Sequence, residues 1–501
     1  MSGQVNRRAF IAGSAAATAW AGLGGLSSPS AQAATSGSPA SDGRPLNVLI
    51  IKSDEHNPFV TSVTGTPFVQ TPNIAGLAAR GTVYDAAYCP SPLCAPSRSS
   101  YLSGLAPHQT QVYSNCIAIP RPNFPSYGSV LAEQGIHTSF VGKVDAYRPP
   151  EDLGFSEMQG SAFRAPGDLY VRRVPLPVRD DAQSRATGVG VKTTESQAYG
   201  AENVATADYA VEFLTKRARD LGRPWTLDVN IVPPHFPNYV TQDMWDLYAG
   251  HADLPPYGVD QPSAQHPYAQ DLRHFFDVGC MTPEVTAQHR RAYYGQITWV
   301  DRQLGRILAA LDQAGLTENT VVAYTSDHGE MLGKFGMWWK SSMFEDSVRI
   351  PLMVAGPGFA AGARATTAVT QWDLQASIFE ALGAQRPADW LGEPLQGIAR
   401  HDEGRVAFAE YHGQGTRASA VMARQGPWKL IWNAAAPHQL FHLDSDPQEL
   451  NDLAKANPEK VRELTRQIQL NFCDPEKEQD RAEEFIQQQI AVLEGQGIPV
   501  P

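Results

Sequence analysis

The chain has 501 residues, 42% of them hydrophobic and 18% charged, and a formal net charge of −12. That length suits one large domain with a smaller companion, and the composition is globular rather than disordered or fibrous. The acidic balance excludes nucleic acid, or any polyanion held by bulk charge, as the main partner; a small anion would need a local cluster of cations or a metal.

Residues 1–33 read as a targeting segment. Arg7 and Arg8 precede Ala9-Phe10-Ile11 and an Ala/Gly-rich run, and Ala31-Gln32-Ala33 forms a small-x-small cleavage site. The paired arginines fit a twin-arginine signal, which implies export by the twin-arginine translocase after folding, to the periplasm or beyond. The run is a poor membrane anchor, and no later segment is long and apolar enough to span a bilayer. Residues 34–45, rich in Ser, Gly, Pro and Ala, read as a disordered linker.

A repeated pattern begins at residue 46. Residues 46–51 form an apolar run suited to a buried parallel strand, and Ser53-Asp54-Glu55-His56 follows it. Residues 137–141 run into Gly142-Lys143-Val144-Asp145, residues 225–232 into Pro233-Pro234-His235, and residues 320–325 into Ser326-Asp327-His328-Gly329-Glu330. Between them, residues 160–200 look like a polar, arginine-bearing surface excursion. Helical spacing marks residues 201–220 and a longer stretch that starts at Thr282-Pro283. Strands alternating with helices predict an α/β sheet covered on both faces, with ligands bound beyond the strand C-termini.

After about residue 385 the character changes. Residues 420–423 and 428–432 read as a hairpin. Asn457-Pro458 opens a helix carrying Val461, Leu464, Ile468 and Phe472, and another runs from about Glu476 to Leu493. The expected division is a catalytic domain at 46–385 and an α+β subdomain at 386–501. The five cysteines, at 89, 94, 116, 280 and 473, lack the spacing of a zinc site and are expected to be mostly free and buried.

The most specific stretch is Cys94-Ala95-Pro96-Ser97-Arg98, followed by Leu102-Ser103-Gly104. Pro96 can open a helix, which puts Cys94 at a helix N-terminus where unpaired N–H groups favour an anion. This pattern resembles the signature of the type I sulfatases. The order Asp54, Cys94, Gly142-Lys143, Pro234-His235, Asp327-His328, Lys340 and Arg349-Ile350-Pro351 is similar to the family order, as is the closing segment 440–453. Ser91-Pro92-Leu93-Cys94 and residues 338–345 look most like choline-sulfatases.

The resemblance implies an alkaline-phosphatase-like fold, a large mixed β-sheet sandwiched by helices. It also implies a sulfuric ester hydrolase in which a formylglycine-generating enzyme oxidises Cys94 to the nucleophile. The divalent ion would sit among Asp54, Glu55, Asp327, His328 and position 94; oxygen ligands suit calcium, and the imidazole admits manganese. Arg98 would steady the nucleophile, Lys143 and Lys340 would hold sulfate, and His235 or Lys340 would protonate the leaving alkoxide. One departure stands out: Asp145 occupies a position where sulfatases usually have His. It would accept a proton, or bind a cationic head group or a neighbouring lysine. Trp338 and Trp339 would face a quaternary ammonium or a sugar, or pack in the core. His56, His108 and His289 read as surface or packing residues. The expected substrate is a choline or other alkyl, aryl or carbohydrate sulfate, with no nucleic acid or membrane partner and an oligomer allowed. The alternatives are a phosphonate or phosphate monoester hydrolase, or an impaired relative that binds sulfate without turnover.

Overall fold

Although Trp225–Pro234 carries buried Thr226, Asp228 and Asn230 at alternate positions, largely apolar runs form the centre of an eight-stranded mixed sheet. Its order is Ala363–Ala365, Gly81–Tyr84, Leu352–Ala355, Thr320–Ser326, Asn47–Asp54, Trp225–Pro234, His137–Lys143 and Glu157–Ser161. The Asn47–Asp54 strand runs parallel to both neighbours, and Leu352–Ala355 is antiparallel to both of its own. The computed structural model describes residues 46–119, 123–161 and 166–501. The expected export signal and linker lie outside the described residues.

The central strand is covered on both faces, as its continuous hydrophobicity requires. Leu49 and Ile51 pack with Val300, Leu304 and Ile307 of the Pro283–Gln313 helix. Val48 and Ile50 join the opposite core, with Leu102 of the Cys94–Ser103 helix and Leu374 and Ile378 of the Gln371–Leu382 helix. Alternate residues thus serve opposite layers, the period of a pleated strand. The long helix starts where the sequence indicates: Thr282 caps it through Val285 N, and Pro283 occupies its first turn. The 201–220 stretch is less regular than expected. An α-helix covers Ala201–Glu212, and π-type turns at Ser196–Gly200 and Phe213–Arg217 flank it.

One irregularity matters for the site. The pairing of Asn47–Asp54 with Trp225–Pro234 keeps strict register to Ser53 and then slips, so that Asp54 stands opposite Pro234. A bulge of this kind re-aims the side chains beyond it. Glu55, next in the chain, has a left-handed backbone (φ 65°).

The predicted hairpin is the middle of a four-stranded antiparallel meander. It comprises Val406–Tyr411, Ala420–Gln425, Trp428–Asn433 and Gln439–His442. Leu464 and Ile468 of the Pro458–Asn471 helix pack on Val421, Leu430 and Leu440. The last helix is Pro475–Gly495. All five cysteines are free, four of them buried. No helix among the described residues is long and apolar enough to cross a membrane.

Candidate active site

Four strand ends and one helix start converge on one edge of the sheet. Asp54 and Lys143 close their strands, while His235, Asp327 and His328 directly follow theirs. Cys94 is the first residue of the Cys94–Ser103 helix, after an extended Leu93. The helix start is pinned by Ala95 N donating to Asn115 Oδ1 (2.9 Å) and Ser97 Oγ donating to the Asp327 carbonyl (2.6 Å). Two glycines make the close approach possible. A Cβ at Gly142 would stand 1.9 Å from Asn230 O, and one at Gly329 would stand 2.0 Å from Asp346 O.

An ion network joins the predicted residues. Arg98 Nε donates to Asp327 Oδ2 (2.7 Å), Nη2 to Asp54 Oδ2 (3.2 Å), and Nη1 to both Lys143 O and Asn230 Oδ1 (3.0 Å each). Lys143 Nζ donates to Asp54 Oδ2 and lies 3.2 Å from Asp145 Oδ2. Lys340 Nζ donates to Glu55 Oε2 (2.8 Å), and His235 Nε2 stands 3.2 Å from that same oxygen. Cys94 Sγ is 3.4 Å from His328 Nε2.

These contacts set the charge states. Burial opposes ionisation of Asp54, but Lys143, His235 and Arg98 outweigh it and hold its pKa well below the usual carboxylate range. Burial also opposes a thiolate at Cys94, and Lys143 and Lys340 outweigh it, so the thiol is strongly acidified. His328 is buried too, yet Asp327 raises its pKa to about 9. The cluster therefore draws positive charge toward His328 Nε2.

The donor set fits a divalent cation. One ligand atom each from Asp54, Cys94, Asp327 and His328 lies within 4.8 Å of the others. Asp54 Oδ1 and Glu55 Oε1 are buried with no hydrogen-bond partner, and a buried unpaired carboxylate oxygen is costly. His328 Nδ1 lies 3.0 Å from Gly329 O, a contact that places the proton on Nδ1 of the neutral ring and leaves Nε2 as the donor atom for a metal.

Glu55 stands apart from those four donors. It groups instead with Asp54 and His235, again within 4.8 Å, and faces Lys340. Asp145 lies beside Lys143 with a positive φ of 38°. Trp338 and Trp339 are both buried; Trp338 packs on His289, and Trp339 on Phe236 and Phe276. His56 is a packing residue bonded to Tyr324 OH (2.8 Å), and burial lowers its pKa to about 4. His108 pairs with Glu410, and His289 bonds Asn238 (2.8 Å).

Sequence reasoning missed a polar layer beneath the site. Asn230 links Arg98 to Asp228 (Nδ2 to Oδ1, 2.7 Å), and Asp228 Oδ2 accepts from Tyr101 (3.1 Å) and Tyr127 (2.6 Å). Lys52 Nζ sits 3.2 Å from the Tyr101 ring centroid, its pKa lowered to about 8 by burial. Gln371 accepts from Ser97 Oγ (3.1 Å) and donates to Ser326 O (2.5 Å). Glu330 accepts from Leu332 N (2.9 Å) and Trp339 N (2.6 Å), which fixes the loop that delivers Lys340. The one available signal was polar residues interrupting otherwise apolar strands, as at Asp228 and Asn230.

A mixed sheet with a helix-borne nucleophile candidate and an acidic, cation-ready cluster at one edge is the plan of alkaline phosphatase superfamily hydrolases. The structure superimposes on a phosphonate monoester hydrolase of Agrobacterium radiobacter with a TM-score of 0.68 at 22% identity, covering 85% of this chain and 96% of that one. In sequence, residues 46–384 match the sulfatase family profile, and residues 333–477 match that of the N-sulphoglucosamine sulphohydrolase C-terminal region. The chain is 32% identical to the choline-sulfatase of Rhizobium meliloti (strain 1021), over 83% of each protein. It is 28% identical to arylsulfatase K of Xenopus laevis, over 84% of this chain and 81% of the relative. The chain belongs to the sulfatase family and is an enzyme of that class.

Proposed function

We propose that this protein is an exported sulfuric ester hydrolase whose nucleophile is formylglycine at position 94, working with a divalent metal in a catalytic domain at 46–385. The reading rests on one observation above all. An acidified cysteine heads a helix, against carboxylate oxygens that are buried and unpaired.

Each residue then has a task. Arg98 bridges Asp54 and Asp327 and fixes their spacing, so it orients rather than reacts. Lys143 and Lys340 flank position 94 and donate to the sulfate oxygens, pre-aimed at charge that builds in the transition state. His235 Nδ1 faces Phe236 O (2.7 Å) and Nε2 faces Glu55 Oε2 (3.2 Å), contacts that turn Nε2 toward the site. His235 therefore delivers the Nε2 proton to the leaving alkoxide. Asp145, beside Lys143, accepts a proton from position 94. Oxidised and hydrated, position 94 supplies one hydroxyl that attacks sulfur and a second that lets sulfate depart. Asp54, Asp327 and His328 would hold the metal, calcium or manganese, with Glu55 beside it; the bound ion neutralises sulfate charge and lowers the pKa of the attacking hydroxyl.

Maturation would require a formylglycine-generating enzyme and the twin-arginine translocase, and would place the product in the periplasm or outside the cell. Peptide mass analysis across Cys94 tests the central step; an unmodified thiol in active enzyme would sink it. Rates on nitrophenyl sulfate and a nitrophenyl phosphonate separate the two ester classes, with the sulfate expected to be faster.

A further inference from the structure

One arginine of the 160–200 excursion reaches the site and has no task above. Arg185 lies on the Ala182–Thr187 helix. Its guanidinium carbon stands 4.2 Å from the Phe236 ring centroid, 4.7 Å from Trp339 and 5.7 Å from Phe276. The Phe236 ring in turn stacks on His235 at 4.7 Å. Arg185 is therefore one aromatic ring removed from His235, the proposed proton donor to the leaving alcohol.

Its hydrogen bonding is incomplete. Nε donates to Asp181 Oδ2 (2.9 Å), while Nη1 and Nη2 have no hydrogen-bond partner among the described residues. The side chain is 10% exposed, and neither amino group is among the fully buried unpartnered atoms, so both are open to an incoming group. Asp181 is itself shared, since Arg179 donates to both of its oxygens at 2.9 Å. Burial, and then the neighbouring Arg179, disfavour the Arg185 charge. An arginine that merely packs looks different in this same protein. Arg291 lies over Trp245 (4.1 Å) and gives Nε and Nη2 to Trp245 O, at 2.9 and 2.6 Å. Arg386 likewise places Nη1 and Nη2 on the carbonyls of Trp390 (3.0 Å) and Gly392 (2.7 Å).

A guanidinium held against aromatic faces, with both amino groups unfilled, is a fork shaped for carboxylate or sulfate oxygens. We infer that Arg185 is a specificity-determining residue that binds an anionic group, a carboxylate or a second sulfate, on the alcohol part of the ester. This inference rests on the sulfatase reading of the adjacent site. A quaternary ammonium alcohol is disfavoured, because the protein's own cation already covers the aromatic faces that would attract it.

The test uses full-length, metal-loaded enzyme and five esters: choline sulfate, phenyl sulfate and the 2-, 3- and 4-carboxyphenyl sulfates. The best carboxyphenyl ester should exceed phenyl sulfate in kcat/KM by about tenfold, the scale of a hydrogen bond to a charged group, and choline sulfate should fall below both. Arg185→Gln should collapse that ratio to near one, and Arg185→Lys should keep part of it. Choline sulfate as the best ester, or an unchanged ratio in Arg185→Gln, overturns the inference. Calorimetric binding of the same esters to Cys94→Ala enzyme, with and without Arg185→Gln, reads the preference without turnover. Failure to hydrolyse any ester would count against the sulfatase reading, whereas equal binding by both forms would count against Arg185.

Discussion

Two buried charge clusters in this protein differ in one respect. At the junction with the C-terminal sheet, Lys429 Nζ donates to Glu345 Oε1 and Glu449 Oε1, each at 2.8 Å. The remaining carboxylate oxygens are also filled: Glu345 Oε2 by Tyr88 OH (3.2 Å) and Glu449 Oε2 by Glu345 N (2.7 Å). At the sheet edge, Asp54 and Glu55 are just as buried and are flanked by Lys143, Arg98 and Lys340, yet each keeps one oxygen without a hydrogen-bond partner, Asp54 Oδ1 standing 3.7 Å from His328 Nε2. Burial of charge is common to both. Complete satisfaction marks the cluster that joins parts of the fold, and incomplete satisfaction marks the one at the proposed active site.

Mutation can break this contrast at several levels. The largest effect is expected at position 94. Cys94→Ala should lower kcat by about 10⁴ or more, as removal of a nucleophile does, with an unchanged circular dichroism spectrum. Cys94→Ser should attack once and then retain sulfate, visible as added mass on the intact protein; sustained multiple turnover in that variant would exclude the mechanism. Lys429→Met should act on stability instead. Removing one partner of a buried ion cluster costs about 3–5 kcal/mol, read by denaturant unfolding, while specific activity of the folded fraction holds. If Lys429→Met abolished catalysis without loss of stability, the structural reading of that cluster would fail.

A smaller effect is expected at Asp145. Asp145→Asn should lower kcat by about 10²-fold, the low end for a positioned base, with KM changed less. A variant with wild-type kcat would restrict Asp145 to pairing with Lys143.

The smallest effect concerns a third cluster. His108 Nδ1 stands 2.9 Å from Glu410 Oε1, and His412 Nε2 lies 3.1 Å from Glu410 Oε2. Burial works against a charged His108, but Glu410 outweighs it and raises the His108 pKa. A raised folded pKa gives stabilisation that is complete below the unfolded value of about 6.5 and is lost as pH rises through the folded value. The difference in melting temperature between wild type and His108→Gln should therefore shrink on going from mildly acidic to alkaline pH. A difference that grows with pH would reverse the assignment.

Much of this arrangement was legible in the chain. Apolar runs ending in Asp54, Lys143, His235 and Asp327 announced a parallel core with polar strand ends, because a strand buried on both faces is mostly apolar until it leaves the sheet. The motif around Cys94 supplied the family. The flanking strands Val406–Tyr411 and Gln439–His442 do not stand out in the sequence, since their mixed patterns acquire meaning only as partners of the central pair. The roles of Asn230 and Asp228 are not legible in the sequence because their hydrogen-bond partners lie far away in it, at Arg98, Tyr101 and Tyr127. Arg185 belonged to a stretch without clear periodicity, and its significance depends on Phe236, Phe276 and Trp339 arriving from three other segments.

The slipped register beyond Ser53 has a consequence for how this pocket could evolve. In an unbroken strand, adjacent side chains project to opposite sides, so Asp54 and Glu55 would never meet the same histidine. Here both carboxylates gather around His235, because the chain jogs between residues 53 and 54 and then turns left-handed at residue 55. Insertion or loss of a single residue at that corner would divorce the two acids in one step, with every side chain still present. The pocket therefore depends on the length of the corner as much as on the identity of the groups it carries.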